Sequence, residues 1–251
     1  MKSTVLNTLS SLAVICAALV FAPGSATASQ VAQYFQTTGS DQWDIFTSGS
    51  TTTITATGTV FFDFDLGGTP YVGPELATFS LTATSDTLGN CATNCGNGDD
   101  FTQAGYSGSF SFTDAGSIDP GADLLSGIFT VANTGATLST AVGASGVTFD
   151  ASATSSNPNQ LTLDSAFLNF AGQSSEDATF SLSNLNPTFA ITVVPTDQGT
   201  PAIGPFTGAG TGTISSIPGP TVIGSPEPAS LALIGSGLIG IGILRRRKKS
   251  A

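Results

Sequence analysis

The 251-residue sequence predicts an all-β protein, an antiparallel β-sandwich or jelly roll with a processing segment at each end. Apolar and polar residues alternate over many short stretches, which Gly, Pro, Asn and Asp separate, and no stretch before the C-terminal segment has a helical period. We expect a cleaved signal peptide over 1–28, a β-sandwich domain over 29–216, a linker over 217–225 and a C-terminal sorting segment over 226–251.

The alternation is clearest from Ile54 to Leu66, where even positions are apolar and odd positions are mostly Thr or Asp. Similar patterns occupy residues 77–84, 106–113, 147–152, 178–183 and 189–194, and weaker ones occupy 43–47, 127–132, 161–170 and 206–215. The phenylalanines fall mainly on the apolar positions, which predicts that they fill the core. Disorder is the alternative for a chain so rich in Gly, Ser and Thr, and the regular alternation argues against it.

The N-terminus has the three parts of a secretory signal peptide. Lys2 supplies the positive charge, residues 5–21 the apolar stretch, and Ala26-Thr27-Ala28 a small-residue cleavage site. We expect signal peptidase to cleave after Ala28 and the mature chain to begin at Ser29.

Residues 29–224 contain no Lys, Arg or His but hold sixteen of the seventeen acidic residues. Without histidine, neither a Ser-His-Asp nor a Cys-His arrangement can form. Without cations, there is no Schiff-base lysine, no phosphate clamp and nothing to displace counterions from nucleic acid. A structural zinc site would need about four Cys or His ligands, and the domain has two cysteines. We therefore expect neither an enzyme nor a nucleic-acid-binding protein.

Cys91 and Cys95 are the two cysteines of the exported segment, so we expect a disulfide between them. An extended spacer would hold their α-carbons about 13 Å apart, beyond disulfide reach, so the flanking Gly and Asn residues must form a tight turn. A reactive redox pair is the alternative, although no cation is present to stabilise a thiolate.

Two acidic groups are candidate binding or catalytic sites. Asp63 and Asp65 share the polar face of one predicted strand, and Asp114, Asp119 and Asp123 fall in one turn-rich stretch. Carboxylates and loop carbonyls suit Ca²⁺, and two carboxylates can also serve as acid and base in glycoside hydrolysis. Solvated strand faces and turn caps are the simpler interpretation, so we expect no cofactor and keep Ca²⁺ as the alternative. Polysaccharide binding has weak aromatic support, because the chain has one Trp and three Tyr.

The C-terminus has three parts in order: Pro226-Glu227-Pro228-Ala229, an uncharged span over 230–244, and the cations Arg245, Arg246, Arg247, Lys248 and Lys249. Five cations directly after an apolar span are typical of a stop-transfer segment, because Lys and Arg beside a span stay cytoplasmic. The span is shorter than the about 20 residues of a standard membrane helix, and we still expect it to form the protein's single transmembrane helix.

This three-part tail resembles the PEP-CTERM sorting signal of Gram-negative bacteria, over residues 225–251 only. The resemblance implies an exosortase that cleaves near Pro-Glu-Pro, an intermediate anchored in the inner membrane, and delivery to the cell surface or medium of a bacterium that makes exopolysaccharide. We therefore expect a surface or extracellular-matrix protein associated with biofilm or exopolysaccharide. A calcium- or polysaccharide-binding module is the alternative for the domain, and an uncleaved single-pass anchor is the alternative for the tail.

Overall fold

A computed structural model describes residues 29–37, 42–66, 73–92, 94–116, 119–131, 135–153, 160–193 and 201–223. The strands are β1 (Ser29–Gln36), β2 (Trp43–Ser48), β3 (Thr51–Phe64), β4 (Glu75–Ser85), β5 (Asn90–Cys91), β6 (Asp100–Asp114), β7 (Asp123–Phe129), β8 (Ala136–Ala141), β9 (Val147–Ala153), β10 (Leu161–Asp164), β11 (Leu168–Asn169), β12 (Ser175–Asn186), β13 (Ile191–Val193), β14 (Pro201–Ile203), β15 (Phe206–Ile217) and β16 (Thr221–Val222).

Most of the strands form one antiparallel sheet whose pairings close into a ring. Around the ring β3 pairs with β4, followed by β6, β8, β9, β12, β15 and β1, which returns to β3. β2 also lies between β3 and β15, while β7 and β10 extend the sheet from β6. The predicted all-β antiparallel fold class is confirmed.

The alternation of the sequence sets which face of each strand is buried. In β3 the inward residues from Ile54 to Phe64 are apolar or Gly, whereas Thr57 and Thr59 face solvent. β4 repeats the pattern, with buried apolar residues at every second position. Because successive side chains point to opposite faces of a strand, a period of two in the sequence becomes one apolar and one hydroxyl-rich surface.

Opposite sides of the folded sheet meet across an aromatic core. The ring of Phe79 on β4 lies 5.0 Å from that of Tyr34 on β1 and 6.1 Å from that of Phe180 on β12, although β4 pairs with neither strand. Phe112 on β6 stacks on Phe79 at 4.8 Å, and Trp43 on β2 lies 5.7 Å from Phe180. These contacts give the fold its sandwich-like character and explain the role of the phenylalanines as core filler.

Several regions differ from the sequence-based expectation. The strands β1, β5, β8 and β14 were not predicted, and the expected linker over 217–225 begins inside paired structure. β15 continues to Ile217, and Thr221–Val222 forms β16, which pairs with β11. Gly and Pro in this segment suggested a linker, but Val222 packs against the core opposite Leu168, which fixes the segment to the domain.

In the described ranges there is no helix, and so no helix of a length and apolarity that would cross a membrane. The signal peptide predicted over 1–28 and the transmembrane helix predicted over 230–244 both lie outside those ranges.

Candidate functional site

The predicted disulfide between Cys91 and Cys95 is present, with α-carbons 5.3 Å apart. Cys95 has a φ of 57°, so the chain turns back on itself as the short spacer requires. The Asp99 carboxylate accepts hydrogen bonds from the backbone N–H groups of Asn94 and Gly96, at 3.2 and 2.8 Å. The bridge therefore belongs to a closed turn beside the β5–β6 pairing.

The structure does not bring Asp114, Asp119 and Asp123 together around a shared point. The two oxygens of the buried Asp114 carboxylate accept from the backbone N–H groups of Gly116 and Asp119, at 2.6 and 2.9 Å. Asp123 instead accepts from the Ser126 hydroxyl at 2.8 Å. Across the part of the chain that the structure describes, no three acidic or cysteine side chains are placed to hold a metal. Calcium binding therefore stays a prediction.

The other predicted acidic pair lies at the end of β3. Asp65 is exposed, and its backbone N–H donates to the carbonyl of Val31 at 3.0 Å. Asp63 is half-buried on the outer face, where Gln33 Nε2 approaches its Oδ2 at 3.5 Å. This contact places Asp63 beside a surface depression, which we call the outer trough.

The outer trough is a shallow depression of about 280 Å³ on the outward face of β1, β15 and β12. Its outward-facing side chains are Gln33, Phe35, Thr179, Ser181, Thr211 and Thr213. Strand register creates the trough, because it aligns side chains that are far apart in the sequence. One row runs through Phe61, Phe35, Thr211 and Ser181, and the next runs through Asp63, Gln33, Thr213, Thr179 and Asp150.

Phe35 forms one wall of the outer trough and packs against a second aromatic ring outside it. Phe35 is 39% exposed, and its ring lies 5.4 Å from that of Phe61 on the neighbouring strand. Leu76 pairs with Phe61 in the next strand of the same row and is 40% exposed. An apolar surface therefore meets a hydroxyl-rich one along this edge.

A carboxyl pair borders the opposite wall. The Thr179 hydroxyl lies 3.2 Å from Asp150 Oδ1 and 3.1 Å from Asp177 Oδ2. The pKa of Asp177 is raised to about 6, and burial is the main cause. The charge of Asp150 and a hydrogen bond between the two carboxyl groups also raise this pKa, whereas the hydrogen bond from Thr179 lowers it by less. Like-charged groups this close share a proton more readily than two separate carboxylates do.

The sequence patterns point to Asp63 as a site residue but to none of the residues that line the trough. Phe35 lies on the unpredicted β1, and Asp150 meets Asp177 only through the pairing of β9 with β12. The sequence shows only that Thr and Ser alternate with apolar residues on the predicted strands. Such a polar outer face is common on antiparallel sheets and does not mark a binding site. Pairing across the chain was needed to turn those residues into a site.

The comparisons with known proteins concern the C-terminal segment. The family model described as the PEP-CTERM protein-sorting motif matches residues 226–248, which include Pro226 to Ala229 and Arg245 to Arg247. These residues, like the cleavage-site residues Ala26 and Ala28, lie outside the described ranges. Neither the curated proteins nor the solved structures include a match to the chain. The motif implies export and membrane-anchored sorting by an exosortase to the cell surface of a Gram-negative bacterium. The chain therefore carries a PEP-CTERM protein-sorting motif at its C-terminus.

Proposed function

We propose that this protein is a non-enzymatic cell-surface or extracellular-matrix protein of biofilm or exopolysaccharide, whose β-sandwich domain is delivered by the C-terminal motif. The observation that carries the proposal is the motif match over 226–248. Residues 29–224 also lack Lys, Arg and His, which supply many catalytic bases and covalent nucleophiles.

The charges at the two ends of the chain suit this route. Lys2 begins export through the signal peptide, and the cations from Arg245 to Lys249 hold the tail at the cytoplasmic side. An exosortase then cleaves near Pro226 to Ala229 and releases or transfers the domain from the inner membrane. The final location is the cell surface or the medium.

Mass spectrometry of the mature C-terminus tests this route. Protein from the cell surface and from the medium of the host should end near Pro226 to Ala229, with an added mass if it is attached to another molecule. The matched variant carries Pro226→Ala and Pro228→Ala, and keeps the apolar span and the basic cluster. It should accumulate in the inner membrane with its tail uncleaved.

A native chain that ends at Ala251 in the surface fraction would show a plain membrane anchor and overturn exosortase processing. Protein found in the cytoplasm would overturn export itself. Cleavage of the proline variant at the native position would show that Pro-Glu-Pro is not the recognised element.

A polysaccharide-binding module is the second candidate function for the domain. The outer trough favours it, because an exposed aromatic ring, hydroxyl groups and an amide lie together on one face. Such a combination of apolar surface and convergent polar groups is typical of sites that bind small polar ligands.

A further inference from the structure

We infer that the outer trough binds an uncharged polysaccharide, with Phe35 as the stacking wall and Gln33, Thr179, Ser181, Thr211 and Thr213 as the hydrogen-bonding floor. This specifies the second candidate function. Its biological role rests on the proposed surface location, whereas binding by the purified protein does not.

Phe35 supplies the apolar contact that a sugar ring requires. A pyranose has an apolar C–H face and a polar rim of hydroxyl groups, so it stacks well on an exposed aromatic ring. The Phe35 side chain is 39% exposed, and the ring of Phe61 at 5.4 Å restrains it from one side. A ring restrained by such a contact loses less conformational freedom on binding than a ring without one.

The floor of the trough matches the polar rim of a sugar. Thr211 and Thr213 project from β15, and Thr179 and Ser181 project from the adjacent β12 in the same register. The hydroxyls of Ser181, Thr211 and Thr213 can each donate one hydrogen bond and accept others, as can each sugar hydroxyl. The Thr179 hydroxyl offers a sugar only an acceptor, because its hydrogen is directed to the Asp150 and Asp177 carboxyl groups. Gln33 adds an amide with two donors and an acceptor, and the Asp63 carboxylate beside its Nε2 helps orient it.

Charge decides which class of polymer fits. Asp63, Asp150 and Asp177 surround the floor, and residues 29–224 contain no Lys or Arg to pair with an anion. A polymer with uronate, sulfate or phosphate groups would therefore meet repulsion without compensation. A neutral polymer meets none, and its hydroxyl groups can donate to the carboxylates.

The shape of the trough selects a polymer over an enclosed small molecule. The depression is shallow and crosses three neighbouring strands, so its ligand stays partly in solvent. The row through Gln33, Thr213 and Thr179 continues beyond the trough to Asp63 on one side and Asp150 on the other. A chain of sugars lying across the strands can use these additional contacts, and a monosaccharide cannot. We therefore expect affinity to increase with oligosaccharide length.

The test is binding of the purified full chain to three neutral polysaccharides (dextran, a soluble β-glucan and a galactomannan), with alginate as the anionic comparison. Affinity electrophoresis ranks the polymers, and calorimetry measures the dissociation constant for any that bind. We expect at least one neutral polymer to bind and alginate not to bind. Phe35→Ala should weaken the neutral interaction at least tenfold.

Phe46→Ala is the matched control. Phe46 is 40% exposed and also faces outward. It pairs with Thr53 of β3, whereas Phe35 pairs with Phe61, eight residues further along the same strand, so Phe46 lies away from the trough. Its replacement should leave binding unchanged, and circular dichroism should show both variants folded. Failure of all three neutral polymers to bind, stronger binding of alginate, or equal losses in the two variants would overturn the inference. An uncleaved tail would overturn the sorting route and leave this result standing.

Discussion

Gln103 is a buried amide whose polar atoms all meet partners. It is 2% exposed, and its Nε2 donates to Thr52 Oγ1 at 2.9 Å and to the carbonyl of Thr87 at 2.6 Å. Its Oε1 accepts from the hydroxyl of the buried Tyr106 at 2.7 Å. Gln103, Thr52 and Tyr106 are all buried, so this neutral network satisfies their polar groups without a charge, and each member depends on the others.

Gln103→Leu should therefore destabilise the fold by about 2–4 kcal/mol, because it leaves the buried Tyr106 hydroxyl without its Gln103 acceptor and removes the amide donor to the buried Thr52 hydroxyl. Urea unfolding measures the loss. The double variant Gln103→Leu with Tyr106→Phe should recover part of it, since the orphaned hydroxyl is also gone. A loss below about 1 kcal/mol for the single variant would show that water replaces the amide.

Among the strands, β6 has two regular stretches, and the buried residues fall on odd-numbered positions in the first and on even-numbered positions in the second. Phe101 and Gln103 point inward at odd positions, whereas Tyr106, Phe110 and Phe112 point inward at even ones. The switch occurs at a β-bulge between Gln103 and Tyr106 in the pairing with β8, where Gly105 has a φ of 80°. This bulge puts Gln103 and Tyr106 on the same side and so makes their hydrogen bond possible.

Gly105→Ala should cost more than about 2 kcal/mol, because its backbone lies in the left-handed region and a Cβ would stand 2.5 Å from Thr87 Oγ1. Gly49→Ala is the control for backbone strain alone. Gly49 has a φ of 63° with nothing within 4 Å of its would-be Cβ, so its replacement should cost about 1 kcal/mol. Urea unfolding of both variants gives the comparison. Equal losses would mean that Thr87 rotates away freely.

Bulges also explain which strands could be predicted from the sequence. β3, β4 and the second half of β6 alternate without interruption, and their patterns matched the observed inward faces. In β1 the register shifts between Gln30 and Ala32, so that Val31 and Ala32 are both buried and no period of two appears. β16 has only two residues, too few to show any period.

The candidate site was predictable only in part for a related reason. A period of two shows that Thr179 and Ser181 face outward, but not which side chains lie beside them on the neighbouring strands. Gln33 comes to Thr213 through the pairing of the first long strand with the last. That pairing depends on the closure of the whole sheet, which no local pattern in the sequence encodes.

At the scale of the whole molecule, three carboxyl groups in the described ranges have a pKa that is shifted upward, and residues 29–224 contain no cation that would oppose the shift. Burial is the main cause in each case: it raises the pKa of Glu176 to about 7, that of Asp177 to about 6, and that of Asp123. Glu176 Oε2 also accepts from the backbone N–H of Leu163 on β10 at 3.2 Å, which lowers its pKa by less than burial raises it. In most proteins, cations that pair with carboxylates shift some of these values downward.

The direction of these shifts predicts a protein that is more stable in mild acid than at neutral pH. A carboxyl whose folded pKa exceeds its unfolded value of about 4 favours folding below pH 4, and that contribution disappears as pH rises towards 7. Both groups are partly solvated, so we expect only about 1–2 kcal/mol in total after allowance for solvent screening. The melting temperature should then be about 3–6 °C higher at pH 4 than at pH 8.

Glu176→Gln separates this effect from a general relief of repulsion among the sixteen acidic groups of residues 29–224. Glutamine keeps an acceptor for Leu163 but cannot ionise, so the variant should match the native protein at pH 4 and melt at a higher temperature at pH 8. Asp65→Asn, at an exposed carboxyl, is the control and should change neither value by more than about 1 °C. A native melting temperature that rises from pH 4 to pH 8 would contradict the burial argument. If instead both variants gained equally at pH 8, net charge alone would account for the acid stability, because removing either negative charge would then relieve the same repulsion.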